Sequence, residues 1–239
     1  MKLTGAQIVC ESLVREGVKV IFGYPGGTVI PIYDVLPNYA LRHVLVRHEQ
    51  AAAHAADGYA RVTGEVGVCF ATSGPGATNL VTGIATAYLD SVPIVAITGQ
   101  VGTPYIGKDA FQEVDVTGIT LPITKHNYLV TDVRDLPVVM KEAFHIARTG
   151  RPGPVLVDIA KDAQYDEVEF HYPESVDLPG YKPTVRGHEG QIKQAAQMIN
   201  QAERSVIFSG HGVTLGNAQH LLAELAEKAQ SPVITTLQG

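Results

Sequence analysis

Cysteine is scarce in this chain. The two that occur among 239 residues are too few for a disulfide framework and have no metal-ligating spacing. Cys10 falls inside an amphipathic helical pattern and Cys69 inside a strand-like run. Both read as small buried hydrophobes, in keeping with a reducing compartment. Excess positive charge is also missing: 18 Lys and Arg against 24 Asp and Glu give a net charge of −6. Such a surface has no field to hold a phosphate backbone, so nucleic acid is not an expected partner. No apolar run reaches the ~20 residues that a membrane-spanning helix needs. The opening "MKLTGAQIVCESLVREG" carries charges in the body of a capped helix, unlike a signal peptide. A cytoplasmic protein, or the mature form of an organellar one, is expected. Neither "GxGxxG" nor "GxxxxGK[ST]" occurs, which excludes a dinucleotide fingerprint and a P-loop.

What is present is a hydrophobic content of 45% with 18% charged residues and 24 glycines, the composition of a globular α/β protein. Thr4 can cap a helix that runs to about Gly17. "VKVIFG", "RHVLVRH", "VGVCFAT", "VPIVAITGQ", "ITKHNYLV" and "GPVLVDIA" then read as strands, with helical patterns between most of them. These strands are continuous apolar runs rather than alternating ones, so a parallel sheet with helices on both faces is expected over residues 1–163. A linker is expected over 164–187, where prolines and mixed charges dissolve the pattern. A second α/β unit begins over 188–239. About fifty residues with two strands cannot cover both faces of a sheet, so this unit is expected to be a truncated start of a domain.

In open parallel sheets ligands collect beyond the C-terminal strand ends. "GYPGG" (23–27), Glu49, "ATSGPGATN" (71–79) and "GQVGTPYIGKDAFQE" (99–113) follow four successive strands. A single Gly-Pro-Gly turn is usually only a turn, but four polar or glycine-rich turns at corresponding strand ends point to a site. Glu49 stands where an apolar run meets the alanine-rich helix "EQAAAHAADGYAR". An acid at a helix start is favoured by the macrodipole alone. Small side chains after it also allow another element or subunit to pack closely, which desolvates a carboxyl and suits it to proton relay.

Together "GYPGG", "RHEQAAAHAADGYAR", "ATSGPGATN", "AITGQV", "GKDAFQE", "TKHNYLV" and "GRPGPVLVDIAKDAQ" resemble the large catalytic subunits of the acetohydroxyacid (acetolactate) synthase family of thiamine-diphosphate enzymes. The resemblance runs over essentially the whole chain. It implies a pyrimidine-binding domain at 1–163 and the start of a central, FAD-contacting domain at 188–239. By that match Glu49 is the catalytic carboxyl that hydrogen-bonds N1′ of the cofactor's aminopyrimidine. Tyr24, Pro25, Gly26, Thr72, Pro75, Asn79 and Gln112 would form the pocket around that ring. Phe111 would help to receive the second 2-oxoacid, with Gln112 and Lys161 lining the active-site entrance. Arg151, Gly210 and Gly212 would contact a structural FAD. The implied reaction decarboxylates pyruvate and condenses the remainder with pyruvate or 2-oxobutanoate, in branched-chain amino-acid biosynthesis. A homodimer or homotetramer with shared active sites is implied, with a possible regulatory small subunit. His48, His126, Glu113 and Asp115 adjoin these motifs but read as structural.

Several departures from the family pattern matter. Gly102 stands where proline is usual and Thr28 where alanine is usual, both at the entrance where sulfonylurea-type inhibitors bind in the family, so lower sensitivity is expected. Ala160 replaces a usual proline before Lys161. The "GDG…N" element that holds Mg²⁺ and diphosphate in the family is absent from these 239 residues. Its ligands are expected in a further C-terminal domain, and this chain alone is expected to be inactive. Glyoxylate carboligases are disfavoured by Glu49, and 2-oxoacid decarboxylases by "KDAFQE". A non-catalytic dimerisation fragment is the alternative of a different kind.

Overall fold

The Thr4 hydroxyl accepts a hydrogen bond from the Gln7 backbone, and the Gln7 side chain accepts one from the Thr4 amide at 2.9 Å. This capping box satisfies two donors that a helix start otherwise leaves bare, which is why the chain turns from strand to helix here. The computed structural model describes residues 1–239. Its elements in chain order are β1 (Lys2–Thr4), α1 (Gly5–Arg15), β2 (Val20–Gly23), α2 (Ile30–Val35), β3 (Arg42–Leu45), α3 (Glu49–Thr63) and β4 (Gly67–Ala71). They continue with α4 (Pro75–Asn79), α5 (Val81–Leu89), β5 (Ile94–Gln100), α6 (Val116–Thr120), β6 (His126–Val130), α7 (Leu136–Arg148), β7 (Val155–Ala160), α8 (Lys161–Tyr165) and β8 (Glu167–Glu169).

Six strands form one sheet in the order β3-β2-β4-β5-β7-β6, and every pairing is parallel. Side chains alternate across it. Val68 and Phe70 of β4 and Val95 and Ile97 of β5 join the core under α1 and α7, with Ile8, Leu13 and Phe144. Cys69 and Ala71, with Ile94 and Ala96, join the opposite core under α3 and α5, with Leu80 and Ile84. Both faces are covered, so all seven residues of β5 are buried.

The alanines of α3 serve close packing within this chain. Ala52, Ala53 and Ala56 are fully buried. A Cβ at Gly83 of α5 would come within 2.4 Å of the Ala53 Cβ, and one at Gly67 within 2.1 Å of the Ala56 carbonyl. Only small residues on both sides permit that approach.

The chain divides into two compact units, Met1–Pro183 and Thr184–Gly239. The first therefore reaches about twenty residues beyond the expected 1–163, and most of the expected linker 164–187 belongs to it. Within that stretch β8 pairs antiparallel with β1. Phe170 is buried in the core, and Tyr172, Leu178 and Tyr181 pack on it. The Tyr172 hydroxyl donates to Glu16 at 2.9 Å. Four spaced apolar residues among prolines and charges lack the periodicity by which a core segment is recognised.

A second difference lies after β4. The stretch "ATSGPGATN", expected as a strand-end turn, is already helical from Pro75, so the short helix α4 precedes α5. The second unit holds α9 (Glu189–Gln201), β9 (Ile207–Ser209), α10 (His211–Leu215), α11 (Gln219–Ala229) and β10 (Val233–Thr235), with β9 and β10 paired in parallel. No helix of the protein is long and apolar enough to cross a membrane.

Candidate active site

Because all six strands run the same way, the segments after β2, β3, β4, β5 and β7 meet along one rim of the sheet. Sequence order moves outward from β2 to β3 and then returns past β2 to β4, which makes the β2–β4 boundary a topological switch point. Gly26, after β2, lies against Thr72, after β4: a Cβ at Gly26 would come within 2.5 Å of the Thr72 side chain. Thr28 binds these two turns together. Its amide donates to Thr72 Oγ1 at 3.2 Å, its hydroxyl accepts from the Ser73 amide at 2.9 Å, and the two threonine hydroxyls lie 3.0 Å apart. Gln164 donates to the Thr28 carbonyl at 2.8 Å. Alanine at position 28 could make none of the hydroxyl bonds.

Glu49 is the first residue of α3, at the end of the edge strand β3, and is half-buried. His48 caps that helix by accepting from the Gln50 amide at 3.2 Å. Asn79 Nδ2, at the end of α4, donates to Glu49 Oε2 at 2.9 Å. Oε1 accepts no hydrogen bond from the chain, and a Cβ at Gly76 would come within 3.2 Å of it. Glu49, Asn79, Gly76, Thr72 and Gly26 thus share one neighbourhood, drawn from three strand ends. Tyr24 and Pro25 are exposed beside it, and Pro75 is exposed at the start of α4.

Phe111, Gln112 and Lys161 come together elsewhere on the rim. They line a cavity of about 540 Å³ with Thr28, Gly102 and Tyr165. Phe111 is 87% exposed, so it is no core aromatic. Gln112 has a positive φ of 58°. Its carbonyl lies so near Gly74 (φ 55°) that a Cβ there would come within 2.5 Å, so only glycine fits. The fully buried Ser73 also lines this cavity, and its hydroxyl has no partner within the chain. A polar ligand group would satisfy it.

The segment between β5 and α6 is held by carboxylates. Glu113 accepts from the amides of Gly107, Lys108 and Ala110, and these bonds lower its pKa. Asp115 caps α6 through the Gly118 amide at 2.8 Å, which lowers its pKa as well. Both are structural, as the sequence suggested. His126 stacks edge-on against Tyr128 at 4.4 Å. Asp158, in the middle of β7, is 1% exposed. Burial pushes its pKa up to about 6, although hydrogen bonds from Thr98 and Gln100 oppose the shift. Its signal in the sequence is the one charge inside the apolar run "VLVDIA".

Arg151 donates to Ser91 Oγ at 2.7 Å and to the carbonyls of Tyr88 and Leu89 at the end of α5. In the second unit Gly210 precedes α10 and Gly212 lies in it, and a Cβ on either would meet open space.

Two protein-family models match the chain. The model for the thiamine pyrophosphate enzyme N-terminal TPP binding domain matches residues 3–119, and that for the thiamine pyrophosphate enzyme central domain matches 192–239. Acetolactate synthase from Mycobacterium bovis is 59% identical over 239 residues, covering 100% of this chain and 39% of the relative. The acetolactate synthase large subunit of Corynebacterium glutamicum is 56% identical, over 100% of this chain and 38% of its own length. A probable acetolactate synthase large subunit from Methanocaldococcus jannaschii is 55% identical, over 99% and 41%. The chain thus spans about two fifths of the length of these relatives. With both domain models matched and this similarity along its whole length, the chain belongs to the thiamine pyrophosphate enzymes.

Proposed function

We propose that this chain supplies the proton-relay part of the active site of an acetolactate synthase large subunit. The observation that carries the reading is Glu49 at a strand end, with one carboxylate oxygen held by Asn79 and the other free beside Gly76. Thiamine diphosphate, when bound, supplies a nucleophilic carbon for addition to the carbonyl of a 2-oxoacid. Glu49 Oε1 holds a proton at the cofactor's aminopyrimidine ring, and Asn79 fixes the carboxylate plane. Gly26 and Gly76 let the turns after β2 and β4 close tightly on Thr72, and Tyr24, Pro25, Thr72 and Pro75 would surround the ring. Phe111, Gln112 and Lys161 receive the second 2-oxoacid in the 540 Å³ cavity, where Lys161 offers charge to a carboxylate and Ser73 a hydroxyl.

The product is an acetohydroxyacid from pyruvate with pyruvate or 2-oxobutanoate. Mg²⁺ bound with the cofactor would need ligands other than these residues, which hold no cluster of His, Cys, Asp or Glu fit for a metal. Arg151 is the proposed flavin contact of the first unit, and Gly210 and Gly212 those of the second, where their open backbone supports close approach of a flat ring. Two copies share each site, and a small regulatory subunit is a further partner, as the large-subunit naming of the relatives suggests.

The test replaces the matching segment of the Corynebacterium glutamicum relative with residues 1–239 and measures acetolactate formation from pyruvate with thiamine diphosphate, Mg²⁺ and FAD. Acetolactate from the chimera, lost on Glu49→Gln, is the expected result. A folded, cofactor-binding chimera that makes none, or a Glu49→Gln variant at full rate, overturns the proposal.

A further inference from the structure

The cavity residues Phe111 and Gln112 sit on a long segment that leaves β5 at Val101 and rejoins regular structure at α6. An irregular segment of this length must be pinned if it is to present side chains in one geometry. Its two ends are closed by one side chain. Gln100, the last residue of β5, accepts from the Val101 amide through Oε1 at 2.9 Å and donates from Nε2 to the Val114 carbonyl at 2.9 Å. The same Nε2 donates to Asp158 Oδ2 at 2.9 Å, and Thr98 donates its hydroxyl to Asp158 Oδ1 at 2.6 Å.

The sheet register explains why these three residues meet. Thr98 and Asp158 are directly paired across β5 and β7, and Gln100 is two residues beyond Thr98 on the same face. Thr98, Gln100 and Asp158 are all nearly or fully buried. A carboxylate with no cation bonded to it is costly at such depth, and no step of the proposed reaction uses it. Its bonded neighbours are one hydroxyl and one amide, and the charge that also acts on it is Asp115, which raises its pKa. What the buried acid does is fix the amide of Gln100. With Nε2 committed to Asp158 and Val114, Oε1 must face Val101, so the side chain cannot flip.

A second carboxylate, Asp162 of α8, continues the arrangement. It accepts from the Thr103 amide and hydroxyl at 3.0–3.1 Å. Asp158 lies within β7 and Asp162 just after its end, so this strand and the helix that follows it grip the segment at its two extremities.

We propose that Asp158, acting through Gln100, is a positioning residue that closes the 101–114 segment and thereby sets where Phe111 and Gln112 stand in the cavity. The meaning of that placement for catalysis rests on the function proposed above. The closure itself is a property of this chain, and its test needs no cofactor, so failure of either idea is separately visible.

The experiment is hydrogen–deuterium exchange on the 239-residue chain at neutral pH, with urea unfolding measured in parallel. Gln100→Met and Asp158→Leu should speed exchange in 101–114 by about tenfold or more beyond any change in β4. Asp158→Asn should stay close to the unaltered protein, because asparagine can accept from Gln100 and donate to Thr98. Loop exchange that is unchanged in the first two, that rises only in step with β4, or that is not rescued by Asp158→Asn overturns the proposal. Should the first two variants fail to fold, the unaltered chain decides by NMR. The Gln100 side-chain NH₂ resonances should be protected from solvent and should shift with the Asp158 carboxyl titration. A freely exchanging amide that ignores that titration overturns it.

Discussion

Asn79 donates its amide proton to one oxygen of Glu49 at 2.9 Å and leaves the other oxygen without a partner in the chain. The bond joins the last residue of α4 to the first of α3, so the carboxylate plane is set by two different strand ends. In the chimera described above, Glu49→Gln should slow exchange of the thiamine C2 proton by about 10²–10⁴-fold, the usual range for loss of a positioned acid or base. Asn79→Ala should cost less, roughly tenfold, because the carboxyl remains but its plane is free. NMR of the bound cofactor in deuterium oxide reads both rates.

Burial of Asp158 gives a pH dependence with a definite sign. Its folded pKa, about 6, lies above the ordinary aspartate value of 3.8. The native state therefore holds this proton more tightly than the unfolded chain. The associated stability is fully present below about pH 4 and is lost as pH rises through about 6. Asparagine at 158 cannot titrate. Urea unfolding should show Asp158→Asn gaining on the unaltered protein by roughly 2 kcal/mol between pH 4 and pH 7. Equal differences at the two pH values would contradict the burial argument.

Two glycines in the same region should respond oppositely. Gly74→Ala adds a Cβ within 2.5 Å of the Gln112 carbonyl at a φ of 55°, and should cost about 2–4 kcal/mol. Gly102→Ala meets nothing nearer than 3.7 Å, and should be neutral or stabilising by up to about 1 kcal/mol. Chemical denaturation of the two variants side by side is the check.

Tyr172 ties the 164–183 stretch to the first unit. Glu16 accepts from its hydroxyl, from Lys141 at 2.9 Å and from Arg148 at 2.7 Å, while keeping its own side chain only 4% exposed. Tyr172→Ala should cost about 2–3 kcal/mol, and Tyr172→Phe about 1 kcal/mol. An effect near zero in urea unfolding would mean that this stretch is a tether after all.

Cys10 and Cys69 are both fully buried, and burial pushes each thiol up to about 12. Neither should be labelled by a thiol reagent in the native protein at neutral pH. Labelling should instead track global unfolding as urea is added, and fast labelling without urea would refute the assignment.

Most of the sheet was legible from sequence because a strand buried on both faces leaves a run such as "VPIVAITGQ" that no amphipathic helix imitates. Glu49 was legible for a related reason, as an acid placed where a strand pattern stops. The pairing of β1 with β8 was not, since three-residue strands carry no period and their partners lie far apart in the sequence. Thr28 was noticed only as an unusual residue at the cavity, whereas its hydroxyl proves to bind the turns after β2 and β4. The Thr98–Gln100–Asp158 contact depends on strand register between β5 and β7, which hydrophobic patterning cannot supply.

The ribbon of β1 with β8 also bears on how the chain is made. Lys2 to Thr4 are synthesised long before their partners, Glu167 to Glu169. On a ribosome β1 therefore waits, unpaired, until nearly the whole first unit has emerged. The central strands and their helices, whose partners are closer in sequence, can assemble meanwhile. Closing the ribbon is then a late event in the biogenesis of this unit, and a nascent chain stalled before residue 167 would carry β1 with an open edge for chaperones to shield.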